Sequence, residues 1–398
     1  FWFFVKQKMN IITANRINTG HIFLNPIKAL TIISCLLLPY VFIEPAPVDI
    51  FFMFFTIYII FNLKIPSISL VIFLTYIFFT LFSTVIGLSL GLSETYKVLE
   101  YFLIEFYLAS LLLAISSVTL QKEYFVDFFL KWYIYGAFFS CFIVLLIKFG
   151  PDNLSLIYRD DFRIRVKGFF KDPNVLAPFL ILPIIAVLFS EIIKSKFTRL
   201  MIAVVCIFLL FLTFSRGGYA SLVISIMYAI TLILLKRSSI KTILTLLAIF
   251  LSSILIITWI MSTDIFQSAD YLLSRFELKD YDSQRFFHIK NALEVGILNP
   301  LGTGPGSYGA VYNLNPHNLF AGKIVDAGLI PAIIITFLPV CAWIFTTFNF
   351  FKRNDNISLI LSSSMIAQIL ASTVVYSHHW RHMLILAVIS CAYSIRKP

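Results

Sequence analysis

Three residues in the second half of the chain have side chains that together suit anion binding and proton transfer. Arg216 lies in "FSRGG", Arg285 in "DSQRF" and His317 in "NPHNLF". A guanidinium group presents a planar fork of donors that matches a phosphate, and a neutral imidazole is the commonest general base in proteins. These residue types predict a site that holds a phosphate and accepts a proton.

Each of these positions also has a purely structural interpretation. Arg216 can be an arginine that extends from a turn to the membrane surface. Arg285 and His288 share a helix face, which can simply be solvated. With Asn315 as N-cap and Pro316 at the first helical position, His317 would lie in a first turn. The positive end of the helix would keep that imidazole neutral, as a base must be, but a plain helix start explains the pattern as well.

Further polar and glycine residues are candidates for binding a substrate. Asp172 and Pro173 predict an N-cap and the first position of a helix. The motif "GPGSYG" formally matches a dinucleotide fingerprint, but no strand–helix unit surrounds it and Pro305 lacks an N–H. Its glycines are therefore assigned to close approach of the loop to the site. The candidate substrate-binding residues are Arg163, Arg165, Asp172, Asn174, Gly304, Gly306 and Asn318.

The motif "SHHWRH" places His378, His379 and His382 close together near the C-terminus. A metal site is disfavoured because no carboxylate lies nearby in the sequence. Packing of Trp380 and Arg381 at a membrane interface is favoured instead. No role for the three histidines follows from the sequence, and neither a metal nor a cofactor is expected.

The composition places these residues in a membrane protein. Of the 398 residues, 60% are hydrophobic and 13% are charged. Apolar runs of about 20 residues recur, the length that crosses a bilayer. We predict an all-α, polytopic membrane helix bundle of about 12 transmembrane helices in a single integral membrane domain, 1–398. The predicted helices are approximately 27–43, 48–63, 68–90, 98–120, 125–147, 173–190, 200–214, 219–235, 242–261, 328–348, 357–376 and 383–394.

The basic residues predict which loops face the cytoplasm. The net charge of +11 comes from residues scattered in short loops, so membrane topology explains it better than nucleic-acid binding. "KSKFTR" and "KRSSIK" flank residues 200–235, which as one helix would run roughly 54 Å, too long for a single span. The segment is therefore a hairpin with "SRGG" at its outer tip. The same rule places 262–327 and "SHHWRH" outside and both termini in the cytoplasm.

The order of five motifs resembles the O-antigen ligase and polymerase family. They are "FKDPN", "FSRGG", "DSQRF", "NPLGTGPGSYG" and "PHNLF" followed by "DAGLI", and they cover about residues 168–345. The resemblance implies a glycosyltransferase of the bacterial inner membrane that uses undecaprenyl-diphosphate-linked glycans. Segment 262–327 is then a large periplasmic loop with short helices, and its Gly/Pro/Asn stretch a flexible cover over a site that faces the periplasm.

The resemblance also implies roles for single residues. The family's "SRG" arginine falls on Arg216, its loop arginine on Arg285 and its loop histidine on His317. The two arginines would bind the donor diphosphate, and His317 would take a proton from the acceptor hydroxyl, most simply that of lipid A–core. The implied reaction is metal-independent and inverts the anomeric configuration.

Two other functions remain open from the sequence. A polymerase would use the same donor but add the glycan to another lipid-linked chain. A flippase for lipid-linked sugars would instead need ionisable groups inside the membrane. Glu100 and Glu105, in the fourth predicted helix, are the best such acids, but the sequence suggests no partner for them. The chain begins with Phe1, so Met9 is one candidate for the native start, and a fragment or an upstream reading are the others.

Overall fold

Helices account for all regular elements in the part of the chain that the computed structural model describes. It describes residues 25–43, 45–148, 165–237, 280–312, 314, 316–375 and 380–396. The helices are α1 (Pro26–Leu37), α2 (Pro47–Asn62), α3 (Ser67–Leu90), α4 (Thr95–Gln121), α5 (Phe125–Lys148), α6 (Pro173–Phe189), α7 (Lys196–Leu212), α8 (Arg216–Arg237), α9 (Asp280–Leu298), α10 (Ser307–Tyr312), α11 (Leu319–Ala327), α12 (Leu329–Arg353), α13 (Asn356–Val374) and α14 (Arg381–Ile395). The all-α prediction is confirmed for these residues.

Of the helices in the described residues, six are long and apolar enough to cross a membrane, namely α3, α4, α5, α8, α12 and α13. Helices α1, α2, α6 and α14 are apolar but shorter. Eleven of the twelve predicted segments overlap helices. The remaining segment, 242–261, lies outside the described residues. The chain is a multi-pass membrane protein, and the count of about 12 spans stays a prediction.

The bundle has a buried centre and an apolar outer surface. Within its most apolar stretch, 67% of α13 is buried inside the bundle, against 28% of α3. Helix α6 is buried along most of its length and packs against α7, α8 and α13. Large apolar side chains such as Ile68, Val71 and Phe78 of α3 are exposed. Such a surface suits lipid, because soluble proteins rarely expose large apolar patches.

Two side chains from neighbouring helices hold the proline-containing helix α6. Pro183 has no N–H, so it leaves the carbonyl of Phe179 without its helical donor. The hydroxyl of Tyr133, on α5, donates to that carbonyl at 3.2 Å. The Gln368 amide of α13 donates to the carbonyl of Pro178 at 2.8 Å. Both interactions keep backbone groups of α6 bonded in an apolar environment.

Helices α7 and α8 form the predicted hairpin. A turn from Thr213 to Ser215 separates them, and α8 begins at Arg216. Gly218 packs against α6 so closely that an added Cβ would lie 2.4 Å from the Cβ of Ala177. The second glycine of "SRGG" is therefore required for the contact between α8 and α6.

Helices α9, α10 and α11 come from the segment 262–327 that the sequence marked as a loop. Helix α9 covers Asp280–Leu298, so Arg285 and His288 lie on a helix as expected, and Gly296 lies inside it. Helix α9 packs against α11, and α11 packs against α3 and α12. These three helices thus rest on the membrane bundle rather than extending away from it.

Candidate functional site

The turn that precedes Arg216 is held by Arg165, which lies before α6, and by Asn174, in the first turn of α6. The Arg165 guanidinium donates from Nε to the carbonyl of Thr213 at 2.9 Å and from Nη2 to Oδ1 of Asn174 at 3.0 Å. The Ser215 hydroxyl donates to the same Asn174 oxygen at 3.0 Å. Buried Arg165 and half-buried Asn174, both expected to bind substrate, thus support the turn that ends at Arg216.

Asp172 forms the predicted N-cap of α6. Its carboxylate accepts from the backbone N–H of Asn174 at 2.7 Å, and Pro173 occupies the first helical position. This carboxylate also acts on His317, because its negative charge raises the pKa of that imidazole. The start of α6 therefore connects the hairpin tip, through Asn174, with His317, through Asp172.

His317 lies half-buried among charged residues. Burial lowers its pKa first, and the positive charge of Arg285 lowers it further. Asp172 opposes these effects, and His288 adds a smaller lowering. Because an unperturbed histidine titrates near pH 6.5, this imidazole is neutral at pH 7 and can accept a proton. The structure thus brings the predicted residues Arg285, His317 and Asp172 together.

The expected start of the helix after His317 is wrong. Helix α11 begins at Leu319, and Asn318 is its N-cap, with its Oδ1 accepting from the N–H of Ala321 at 2.9 Å. Asn315, the expected cap, lies outside the described residues. His317 therefore precedes the helix, and burial together with Arg285, rather than a helix N-terminus, keeps it neutral.

The side chain of Asn318, a predicted substrate-binding residue, is used within the protein. Besides capping α11, its Nδ2 donates to the carbonyl of Thr373 on α13 at 3.1 Å. Arg163, another predicted binding residue, lies outside the described residues. Asn318 therefore fixes the start of α11 on the bundle, next to His317.

Helix α9 directs Arg285 and His288 towards the site. His288 Nδ1 lies 3.2 Å from the hydroxyl of Tyr308, which donates in turn to the His288 carbonyl at 3.1 Å. Asn291 also donates to this hydroxyl, at 3.1 Å. Sequence reasoning missed Tyr308, the aromatic residue of "GPGSYG". On the same helix, Ile289 and Leu293 pack on the core whereas Phe286 is 67% exposed.

The glycines of "GPGSYG" hold the loop against α3 and α11. The N–H of Gly304 donates to the Ser83 hydroxyl at 3.1 Å, and that of Gly306 donates to Oδ1 of Asp326 at 3.2 Å. Gly304 has φ +102°, and its added Cβ would lie 2.6 Å from Cα of Gly87. Gly304 and Gly306 were candidate substrate-binding residues, and their N–H groups are bonded within the protein. Residues 300–312, part of the stretch expected to be a flexible cover, are thus a segment fastened to α3 and α11 at these two glycines.

A buried ion pair beneath this loop escaped the sequence reasoning. Glu105, on α4, accepts from the Lys323 ammonium of α11 and from the hydroxyl of Tyr76 on α3. The interpretation of Glu105 as an acid without a partner is therefore wrong. Lys323, in the apolar run "FAGKIVDAGLI", was the available signal.

A second buried ion pair fixes the start of α14. Arg381 binds the Asp49 carboxylate with Nε and Nη2, the latter at 2.6 Å, and the Tyr107 hydroxyl donates to the same carboxylate at 3.0 Å. Trp380 stacks on the ring of His382 with centroids 5.6 Å apart. His378 and His379 lie outside the described residues, among which no group of three or more His, Cys, Asp or Glu is arranged to hold a metal ion.

One comparison with known proteins bears on this site. Residues 201–337 match the model of a family described as O-antigen ligase. No curated protein matches the chain. The matched region contains Arg216, Arg285 and His317, whereas Asp172 and Asn174 precede it. The family resemblance that the motifs suggested is therefore confirmed over this region.

Proposed function

We propose that this chain, an O-antigen ligase family protein by its residues 201–337, is a membrane glycosyltransferase. It transfers a glycan from an undecaprenyl-diphosphate carrier to the hydroxyl of an acceptor, lipid A–core. The observation that carries the proposal is the half-buried, neutral His317 beside Arg285 and Asp172 in that family region. Transfer of a sugar from a diphosphate needs a neutral base and a cationic group that binds the diphosphate, and His317 and the Arg285 guanidinium supply these.

In the proposed step, the arginines bind the donor and the histidine activates the acceptor. Arg216 and Arg285 bind the diphosphate and stabilise the negative charge that grows on it as the sugar–phosphate bond breaks. His317 takes the proton of the acceptor hydroxyl, whose oxygen then forms a bond to the anomeric carbon. Undecaprenyl diphosphate leaves from the opposite face, so one displacement inverts the anomeric configuration.

In this step the Asp172 carboxylate stabilises the positive charge that His317 acquires. The imidazolium formed by proton transfer is repelled by Arg285 and attracted by the Asp172 carboxylate. Asp172 therefore offsets part of the repulsion just when the imidazole becomes charged. The guanidinium groups supply the positive charge for the diphosphate, so the proposed step uses neither a metal nor a cofactor.

The proposal places the protein in the bacterial inner membrane. The site faces the periplasm, segment 262–327 is the periplasmic loop, and both termini are cytoplasmic, in accord with the basic loops. Surrounding membrane lipids hold the polyprenyl chain of the donor, and nucleic acid has no part in the reaction.

Complementation of a ligase-null Gram-negative strain tests the function. Wild type, His317→Ala, Arg216→Ala and Arg285→Ala are expressed, and lipopolysaccharide is examined on gels. Wild type is expected to restore the O-antigen ladder, and the three variants are expected to fail although they insert in the membrane. Lys290→Ala is the control, because Lys290 lies on the same helix as Arg285 but is exposed and pairs only loosely with Glu294 at 3.8 Å.

A parallel polymerase-null strain separates the two uses of the donor. Restoration there and not in the ligase-null strain would assign the protein as a polymerase. Loss of both activities in wild type, or full activity of His317→Ala, would contradict the proposed mechanism. Purified protein with a lipid-linked donor and lipid A–core then measures the release of undecaprenyl diphosphate directly.

A further inference from the structure

We propose that the buried Glu105–Lys323 ion pair is a positioning device that holds His317 at the site. Lys323 follows His317 by six residues and belongs to α11, the helix that begins just after it. The pair joins α11 to α4, which is a candidate membrane span. The inference rests on the proposed function for what His317 does, but the position of His317 can be tested without it.

The pair is almost completely removed from solvent. Lys323 is 1% exposed and Glu105 is 5% exposed. Lys323 binds Oε1 of Glu105, while Oε2 accepts from the Tyr76 hydroxyl, so both carboxylate oxygens are engaged. Burying two charges costs several kcal/mol per ion before their attraction is counted, and charged residues within spans are rare. A hydrophobic pair would stabilise the same contact at less cost, which favours a role beyond stability.

Hydrogen bonds hold the two ends of α11, and between them Ala321 and Ile324 pack in an apolar cluster with Ala292 of α9. At its start, the Asn318 side chain donates to the carbonyl of Thr373 at 3.1 Å. At its end, the Ser83 hydroxyl donates to the carbonyl of Asp326 at 2.7 Å. Lys323 lies between these anchors and makes the contact that reaches α4. The pair therefore adds a buried polar contact that fixes α11 against α4.

The position of α11 determines the position of His317. Helices as short as this nine-residue one have little stability of their own, so tertiary contacts decide where they lie. His317 precedes the first residue of α11 by two, while Arg285 comes from α9 and Asp172 from α6. A shift of α11 therefore changes the distances from the imidazole to both charged groups. A misplacement of about 1 Å can lower a rate by about 100-fold.

Lys323 itself is unsuited to contact the donor. Its ammonium is enclosed by Glu105 and lies 5.9 Å from the centre of the Tyr76 ring. A group so enclosed cannot also bind a phosphate at the surface. Its influence on the reaction must therefore pass through α11, which makes it a positioning residue.

The test removes both charges together in the full-length protein in lipid nanodiscs. Glu105→Gln/Lys323→Met avoids the strong destabilisation that follows when one buried charge loses its partner. The matched control is Glu94→Gln/Lys97→Met, an ion pair of 3.1 Å beside the same helix with side chains 60% and 48% exposed. Exposed pairs of this kind contribute little to stability, so the control is expected to behave as wild type.

The first measurement needs no glycan donor. Diethyl pyrocarbonate modifies neutral imidazole, so the rate of modification of His317 against pH, read by mass spectrometry, gives its pKa. In wild type this pKa is expected below 6.5. In Glu105→Gln/Lys323→Met it is expected to rise towards 6.5, because His317 moves away from its buried place beside Arg285. An unchanged pKa in the folded variant would overturn the inference.

The second measurement is transfer by the same proteins. The charge-free variant is expected to lose about 100-fold in rate at saturating donor while its KM for the donor changes less than about twofold.

If the charge-free variant does not accumulate, Glu105→Asp shortens the carboxylate by one methylene and keeps both charges. In this variant the pKa of His317 is expected to rise and the transfer rate to fall about tenfold. If the pKa and the rate both stay as in wild type, the inference is overturned. Absence of transfer in wild type would overturn the proposed function alone, since the modification rates still decide the position of His317.

Discussion

At the scale of single residues, His317 shows how the same chemical state can arise from a different cause. Its sequence context predicted a neutral imidazole at a helix N-terminus. In the structure, burial and the charge of Arg285 depress its pKa, and Asp172 partly restores it. The neighbours that tune this base come from α6 and α9, so the local sequence around position 317 contains none of them.

Asp172 offers a way to change the pKa of His317 without breaking a helix cap. Asparagine caps helices as well as aspartate does, so Asp172→Asn removes the charge but keeps the cap of α6. Because the carboxylate raises the pKa of His317, its removal lowers that pKa. The base then stays unprotonated to lower pH, so the acid limb of transfer activity is expected to move to lower pH. The transfer rate at saturating donor, measured over a range of pH, gives the position of this acid limb.

The control for this change is a second aspartate N-cap. Asp355 caps α13 and accepts from the N–H of Ser358 at 2.7 Å, but it does not act on His317. Asp355→Asn should leave the pH profile of transfer unchanged. A shift of the Asp172→Asn limb to higher pH would contradict the assignment of His317 as the base.

At the scale of elements, the hairpin α7–α8 depends on close contact with α6. Gly218 is the point of closest approach, against Ala177. Arg165 and Asn174 bind the turn from the side of α6, so two independent contacts set where α8 begins. Arg216, the first residue of α8, is directed by both.

Gly218→Ala is therefore expected to destabilise the protein and to displace Arg216. An added methyl group 2.4 Å from Ala177 forces the two helices apart. Overpacking of this kind costs about 1–3 kcal/mol. The expected results are a lower unfolding temperature in nanodiscs and a higher KM for the donor. Val223→Ala, at an exposed position of α8, is the control, and equal stability of the two variants would contradict the contact.

Local rules predicted some elements and failed for others, for identifiable reasons. Asp172–Pro173 fixed the start of α6 because its capping bond is local. The region before α11 offers both Asn315 and Asn318 as caps, and Asn318 also gains a bond to Thr373. That long-range bond cannot be read from local sequence. The partners Glu105 and Lys323, 218 residues apart, were hidden for the same reason.

At the scale of the whole molecule, the topology connects the basic loops with the site. Lys194 lies between α6 and α7, whereas Asn299 follows α9 at the start of the fastened segment. Both positions are exposed. If the proposed orientation is correct, the membrane separates them, with Lys194 in the cytoplasm and Asn299 in the periplasm.

Cysteine labelling tests this orientation directly. Lys194→Cys and Asn299→Cys are made separately in a variant without the two half-buried cysteines, Cys341 and Cys391. In intact spheroplasts, a membrane-impermeant maleimide is expected to label the Asn299→Cys variant and to label the Lys194→Cys variant only after permeabilisation. The reverse pattern would place the site in the cytoplasm and exclude a periplasmic reaction.

The hydrogen bonds along α6 imply an order of assembly during synthesis. Tyr133, which satisfies the carbonyl that Pro183 leaves open, precedes α6 in the chain and is already present when α6 leaves the ribosome. Gln368, 190 residues after Pro178, arrives only near the end of translation. Helices α5 and α6 can therefore enter the membrane as a pair. The face of α6 that receives α13 stays uncovered until the last helices are made, which makes completion of the bundle a late event in biogenesis.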